Sequence, residues 1–353
     1  MTLKKLTVIA IAAAVMITGA IGIAIRLTAP AEMEMKVTEH TEPEELQNGA
    51  SKTIDNMENT PLYYDEEKRL LLPLRNVMEG LGATVAWNAE IRQAVVSYRG
   101  KKLTFSPGEK KATLNGYEVT LPKEAETING CLYVDGDVIS AYFTDEVIWD
   151  HISRQITLKT KDHSIPLVAK NILRESVGNC VYEIEVPVIT GLNDANFEKS
   201  LNEKLFRELK AFVNEISAKE NGAEEEHMKL KQQIEFCTKD FLSLYWECEQ
   251  EAENGTVLLG LSQNINLREQ KTVALADLLE QDSLDKITES MGAEWTETDF
   301  YVTKMGVIAT FKSEAQGGMG TSFWSEDMEG ERKIRLKQVF HEIFPNRVTE
   351  PTL

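Results

Sequence analysis

Histidine, cysteine and positive charge are all scarce in this 353-residue chain. The five histidines, His40, His151, His163, His227 and His341, are scattered, with no H-x-H pair. The convergent ligand spacing of a metal site is therefore missing, and no cofactor is expected. The four cysteines, Cys131, Cys180, Cys237 and Cys248, form no C-x-x-C. That density is too low for a fold held by disulfides, although Cys237 and Cys248 could pair if they faced each other across strands. Lysine and arginine number 38 against 57 acidic residues, for a net charge of −19. Such a balance excludes a nucleic-acid partner, whose phosphates need clustered cations. It suits a basic partner, or simply solubility through like-charge repulsion. Catalytic signatures are absent as well. Ser262 and Ser322 lack the glycine context of a hydrolase nucleophile. Gly317-Gly318-Met319-Gly320 is followed by no Lys-Ser/Thr, so it reads as a flexible loop and not a phosphate cradle. Glu247 and Glu249 alternate with apolar residues and read as a solvated strand face.

One long apolar run is present. Leu6–Ile25 is uncharged over about twenty residues, enough for a helix to span roughly 30 Å of bilayer core. Lys4 and Lys5 precede it, Arg26 follows, and the positive-inside rule puts everything beyond Arg26 outside the cell. The stretch reads as an uncleaved signal-anchor, giving a single-pass protein of the cell membrane with its bulk extracytoplasmic. The alternative is a signal peptide cut near Ala29-Pro30-Ala31, and hence a secreted chain. Length suggests about two domains. The expected layout is a cytoplasmic stub and anchor over 1–27, an acidic flexible linker over 28–59, a first domain over 60–161, a second over 164–345 and a tail over 346–353. The linker lacks apolar periodicity and is dominated by Glu, Thr, Asn and Pro.

The first domain is an internal repeat. Leu71–Asn88, LLPLRNVMEGLGATVAWN, is echoed about 62 residues later by Leu132–Asp150. Trp87 answers Trp149, and Arg92-Gln93 answers Arg154-Gln155. Asp135-Gly136-Asp137 stands where the first copy has Leu74-Arg75-Asn76. Each unit reads as strand, short helix, strand, tight turn, strand. Leu74, Val77, Met78 and Leu81 form one buried helical stripe. Gly82 sits where helices stop in the left-handed conformation, and Asn115-Gly116 marks a hairpin.

These residues, with KKATLNGYEVTLPKEAETINGCLYVDGDVI, closely resemble the copper amine oxidase N-terminal-like, or stalk, domain over about residues 60–160. The resemblance implies a non-catalytic module of secreted or surface bacterial proteins, associated with wall attachment. It does not imply oxidation, because an amine oxidase needs several convergent histidines and a tyrosine-derived quinone. Trp87 and Trp149 are candidate sugar platforms, weighed against a plain core role at equivalent repeat positions.

In the second domain, Cys180–Val188 alternates as a strand. Asn193 is a candidate N-cap for a long helix, in which Phe197, Leu201, Leu205, Leu209, Phe212, Val213 and Ile216 make one apolar face to about Ser217. Strands are expected at Gln233–Cys237, Phe241–Glu249, Thr256–Leu267 and Asp299–Phe311. A short helix pair spans Leu275–Met291, a last strand lies near Ile334–Leu336, and a helix covers Gln338–Phe344. NCVYEIEVPVITGLNDANFEKSLNEKL, FLSLYWECEQ and DFYVTKMGVIATF resemble the paired extracytoplasmic domains of lysozyme-sensing anti-sigma factors and membrane-anchored peptidoglycan deacetylases of Gram-positive bacteria. Met1–Lys5 is too short to hold a sigma factor, and no deacetylase domain is recognisable.

The fold expected is α+β: an N-terminal anchor helix, a two-copy strand-helix-strand repeat, then a long helix on an antiparallel sheet. The function expected is that of a membrane-anchored, non-enzymatic envelope protein. Its partners would be the cytoplasmic membrane through Leu6–Ile25, and peptidoglycan or a basic protein such as lysozyme. The candidate ligand-binding residues are Trp87, Trp149, Tyr245 and Trp246. The alternative is a wall-modifying hydrolase, which would need two carboxyls about 5–10 Å apart in a cleft.

Overall fold

The computed structural model describes residues 47–55, 63–64, 69–178, 180–217, 226–252, 255–291, 299–313, 318–325, 327–328 and 330–337. Alternating and helical patterns in the first half close into three small sheets. β1 (Ser51–Ile54) precedes β2 (Tyr63–Tyr64). The first repeat copy builds β3 (Leu70–Pro73), α1 (Leu74–Leu81), β4 (Thr84–Asn88) and β5 (Gln93–Tyr98). β6 (Lys101–Phe105), β7 (Lys111–Leu114), β8 (Tyr117–Thr120) and β9 (Glu126–Ile128) connect the copies. The second copy builds β10 (Cys131–Asp135), α2 (Gly136–Tyr142), β11 (Thr144–Asp150) and β12 (Gln155–Thr160). The sheets run β4-β5-β6-β7-β8, β2-β3-β10-β9 and β1-β12-β11.

The repeat is visible in detail. Asn88 Oδ1 accepts from the amides of Glu90 and Ile91, and Asp150 Oδ1 does the same for Ile152 and Ser153. Arg92 and Arg154 follow with φ of 52° and 55°, so both copies turn on the same left-handed residue. Leu74, Val77, Met78 and Leu81 are all buried, and α1 stops at Gly82 with φ 100°. The β7–β8 hairpin turns on Asn115 and Gly116, both at positive φ. The copies align one residue away from the sequence expectation: Asp135 caps α2 as Pro73 precedes α1, its carboxylate accepting from the Asp137 amide at 2.9 Å. Ser51–Ile54, read as the end of the linker, forms β1 and pairs with β12.

The second half is dominated by a six-stranded sheet, β13 (Leu167–Val177), β14 (Cys180–Thr190), β15 (Glu226–Cys237), β16 (Phe241–Ala252), β17 (Gly255–Asn266) and β18 (Lys271–Thr272), in sequence order. Only β14 and β15 pair in parallel, and α3 (Ala195–Ser217) lies in the connection between them. Leu201, Leu205, Leu209, Val213 and Ile216 of α3 are buried on the sheet, each worth about 1.5–3 kcal/mol. Asp194, not Asn193, caps the helix: its carboxylate accepts from the Asn196 and Phe197 amides. Asn202 ties α3 to β14 through both the amide and the carbonyl of Ile189.

A third layer covers the other sheet face: α4 (Leu275–Leu278), α5 (Gln281–Met291), and the small sheet β19 (Asp299–Val302), β20 (Val307–Ser313) and β21 (Gly318–Trp324). The expected single strand over Asp299–Phe311 is a hairpin, broken where Thr303 and Gly306 bond across a turn. The glycine-rich stretch from Gly318 is strand, not loop, because its backbone pairs with β20. Leu336 makes an isolated bridge to Leu279 in place of a strand, and Gln338–Phe344 lies outside the described residues. Cys237 and Cys248 are not bonded: the register sets Leu242 opposite Cys237 and Leu230 opposite Cys248.

The expectation of a membrane anchor is corrected. Among the described residues no helix is long and apolar enough to cross a membrane. The longest, α3, is 23 residues and carries one apolar stripe backed by charged residues. Leu6–Ile25 lies outside the described residues. The single-pass topology, the membrane as a partner, the extracytoplasmic location and the membrane-anchored envelope function all rested on that helix, and no described helix supports them.

Candidate functional site

The feature that stands out in the first domain is a cleft of about 440 Å³. Its floor is the first turn of α1, with Pro73, Leu74, Arg75 and Asn76. One wall is β4, the edge strand of its sheet, with Val85, Ala86 and Trp87. The opposite wall is the β9–β10 hairpin, with Thr127, Gly130, Cys131 and Leu132. Asn129 and Gly130 turn that hairpin at φ of 51° and 81°. The Arg75 guanidinium joins floor to wall, donating to Glu79 Oε1 at 2.8 Å and to the Val85 carbonyl at 2.7 Å. Among the described residues the lining contains no carboxylate and no histidine.

The four aromatic candidates separate. Trp87 is 45% exposed and lines the cleft. Trp149, its repeat counterpart, is half-buried against the first core. Trp246 is fully buried, its indole N–H donating to the Glu185 carbonyl at 2.8 Å. Tyr245 is buried on the opposite sheet face and stacks on Tyr301 with centroids 4.6 Å apart. The sequence carried no signal for Arg75, Asn76, Thr127 and Cys131 as lining residues. Only the pairing of β10 with β3 brings their elements together.

The reverse face of the large sheet sets buried polar groups beside Phe236 and Phe241. Asp299 accepts from the Ser262 hydroxyl and, at 2.9 Å, from the Ser262 amide. Burial raises the Asp299 carboxyl above its ordinary range, against these bonds. Ser243 Oγ donates to Asn264 Oδ1 at 2.7 Å and accepts from the Val302 amide at 2.9 Å, while Asn264 donates to the Phe300 carbonyl. These bonds seat β19 on β16 and β17. Glu235 lies at the irregularity between Ile234 and Phe236, where β15 loses its simple alternation. Burial, and then the Glu247 charge, raise its carboxyl. This carboxylate pair adjoins Tyr245 and Tyr301, away from the Trp87 cleft.

The donor set does not fit copper. Among the described residues, no three His, Cys, Asp or Glu side chains come together in a way that could hold a metal ion.

Residues 48–158 match the family model of the copper amine oxidase N-terminal domain, so the chain carries an N-terminal domain of that type. Two solved structures are distantly similar. One is a DUF3298 family member from Bacteroides fragilis, 13% identical, with a TM-score of 0.36, covering 50% of this chain and 97% of its own. The other is a DUF3298 family protein from Pseudomonas aeruginosa, 10% identical, with a TM-score of 0.31, covering 52% of this chain and 96% of its own. No curated protein matches the chain.

Proposed function

We propose that the chain is a non-catalytic binding protein whose first domain takes a short segment of a neutral saccharide in the cleft beside Trp87. The observation that carries this is Trp87 itself. A large indole stands 45% exposed on an edge strand at the rim of a cleft of about 440 Å³. An exposed aromatic face stacks on the C–H face of a sugar ring, and a few polar groups then fix its orientation. Asn76 and Thr127 supply donors and acceptors in the same lining. Among the described residues the lining is largely apolar and neutral apart from Arg75, a surface suited to holding a sugar ring. The resemblance of residues 164–345 to the paired domains of anti-sigma factors and peptidoglycan deacetylases belongs to the same proposal. It would make the second half a further module without chemistry of its own.

Titration of the full chain with β-linked glucose and N-acetylglucosamine pentasaccharides, followed by tryptophan fluorescence, tests the reading. Saturable quenching is expected, weakened at least about tenfold in Trp87→Ala. The variant's unfolding midpoint should be close to that of the parent, because Trp87 is not a core residue. Quenching that survives Trp87→Ala, or release of shorter sugars, would overturn it.

A further inference from the structure

We propose a second, separate binding site, for a compact oxyanion of the phosphate class, where Arg99, Lys101, Lys161 and His163 converge between the sheets of the two repeat copies. Arg99 follows β5 and Lys161 follows β12, so the two occupy equivalent places in the repeat. Arg99 sits in the β5–β6 turn at φ 46°, beside Gly100 at φ 75°. That turn delivers Lys101 to the start of β6, where it is 8% exposed. Lys101 makes no ion pair or side-chain hydrogen bond among the described residues. Its charged neighbours are Lys161, Asp145 and Arg99.

The remaining groups are underpaired in the same way. Among the described residues, Arg99 Nη2 is buried without a hydrogen-bond partner, and so are both ring nitrogens of His163. The guanidinium lies over the Tyr98 ring at 5.4 Å, and the His163 ring meets Tyr98 edge-on at 5.8 Å. Lys161 is 3.8 Å from Asp145 Oδ1. Asp162, the other nearby carboxylate, is already engaged by Asn48 and Ser164. A guanidinium, two lysine amines and an imidazole thus share one carboxylate, Asp145, which already faces Lys161, inside a chain of net charge −19.

A buried cation without a counter-charge is costly, and a chain this acidic has carboxylates to spare for pairing it. Burial and the neighbouring cations hold the Lys101 ammonium down to about 8, the direction an unmatched charge takes. An oxyanion would reverse this, accepting from the guanidinium, the ammonium and the imidazole N–H at once. Its phosphoryl could be the free ion or part of a larger molecule.

Thermal unfolding of the full chain near neutral pH tests the site, with inorganic phosphate, glycerol 2-phosphate, or chloride at matched ionic strength. A saturable rise in midpoint with phosphate and none with chloride is expected. A response to both phosphorus ligands assigns a phosphoryl group on a larger molecule, and a response to inorganic phosphate alone assigns the free ion. The Arg99→Gln/Lys161→Gln variant should bind phosphate at least about tenfold more weakly. Lys101→Met should lose the response while keeping or raising its midpoint in chloride, since it removes an unmatched buried charge. Equal midpoints in phosphate and chloride, or a phosphate response retained in Lys101→Met, would overturn the proposal.

Discussion

Gly260 lies directly beneath the ring of Tyr245: a Cβ added to Gly260 would stand 2.7 Å from Tyr245 Cε2. The ring also packs on Tyr301, with centroids 4.6 Å apart and planes inclined at 30°. Gly260→Ala must therefore displace the Tyr245 ring and disturb its packing on Tyr301. The expected cost is about 1–3 kcal/mol of stability, as for other overpacked sites. Urea unfolding measures it, and a variant as stable as the parent would show that the ring has room to move.

Ser243 should matter beyond its size. Its hydroxyl donates to Asn264 and accepts from the Val302 amide in a fully buried setting. Ser243→Ala orphans both partners and should cost about 1–3 kcal/mol. Exchange of the Val302 amide, followed by NMR, should accelerate more than that of α3 amides, because the seam opens before the α3 core does.

His163 should titrate far below an ordinary histidine. Burial first, then Lys101 and Arg99, lower its imidazolium to about 4 from the usual 6.5. The unfolded chain takes up a proton between those values and the folded chain refuses it. Stability is thus lost as pH falls from about 6.5 to about 4, and this residue contributes nothing above that window. The ring is only partly enclosed, so the loss is on the order of 1–2 kcal/mol. NMR titration in chloride should find the low midpoint, and His163→Phe should flatten that part of the stability–pH curve.

Glu235 should carry the opposite sign. Its carboxyl is raised by burial and by Glu247, so the folded chain holds the proton more tightly than the unfolded one. Stability then falls as pH rises through the carboxylate range. Glu235→Gln should raise the unfolding free energy at neutral pH by roughly a few tenths of a kcal/mol for a part-exposed group, and the urea midpoint with it. A lower midpoint would show that the charge is used, not merely tolerated.

Local elements were legible where one periodicity dominated. The α1 stripe, Gly82, the Asn115-Gly116 hairpin and the α3 stripe all follow from side-chain spacing. What spacing cannot reveal is pairing between distant segments. β1 was hidden in polar sequence because its partner, β12, lies about a hundred residues away. The strand from Gly318 was hidden because glycine carries no β signal and only the β20 ladder fixes it. Asp194 took the cap from Asn193 because a one-residue shift is decided by local geometry, not composition. The cleft was half legible: Trp87 could be named, but its facing wall depends on β10 pairing with β3. The Lys101 cluster was illegible, since its members are unremarkable singly and meet only through the packing of the two repeat copies.

β13 and β14 do not respect the division of the sequence into two modules. Leu167, Ala169 and Val188 are buried in the core of the repeat domain, while Ile184, Val186 and Ile189, on β14 like Val188, are buried under α3. Thr120 on β8 is stitched to Asn171 and to the Ile172 amide on β13. A fragment ended at residue 161 would thus be cut through its own interior, leaving an apolar socket where those three side chains belong. The inheritable unit and the unit that melts are different objects in this protein: the repeat can be recognised alone, but its last wall is supplied by its neighbour.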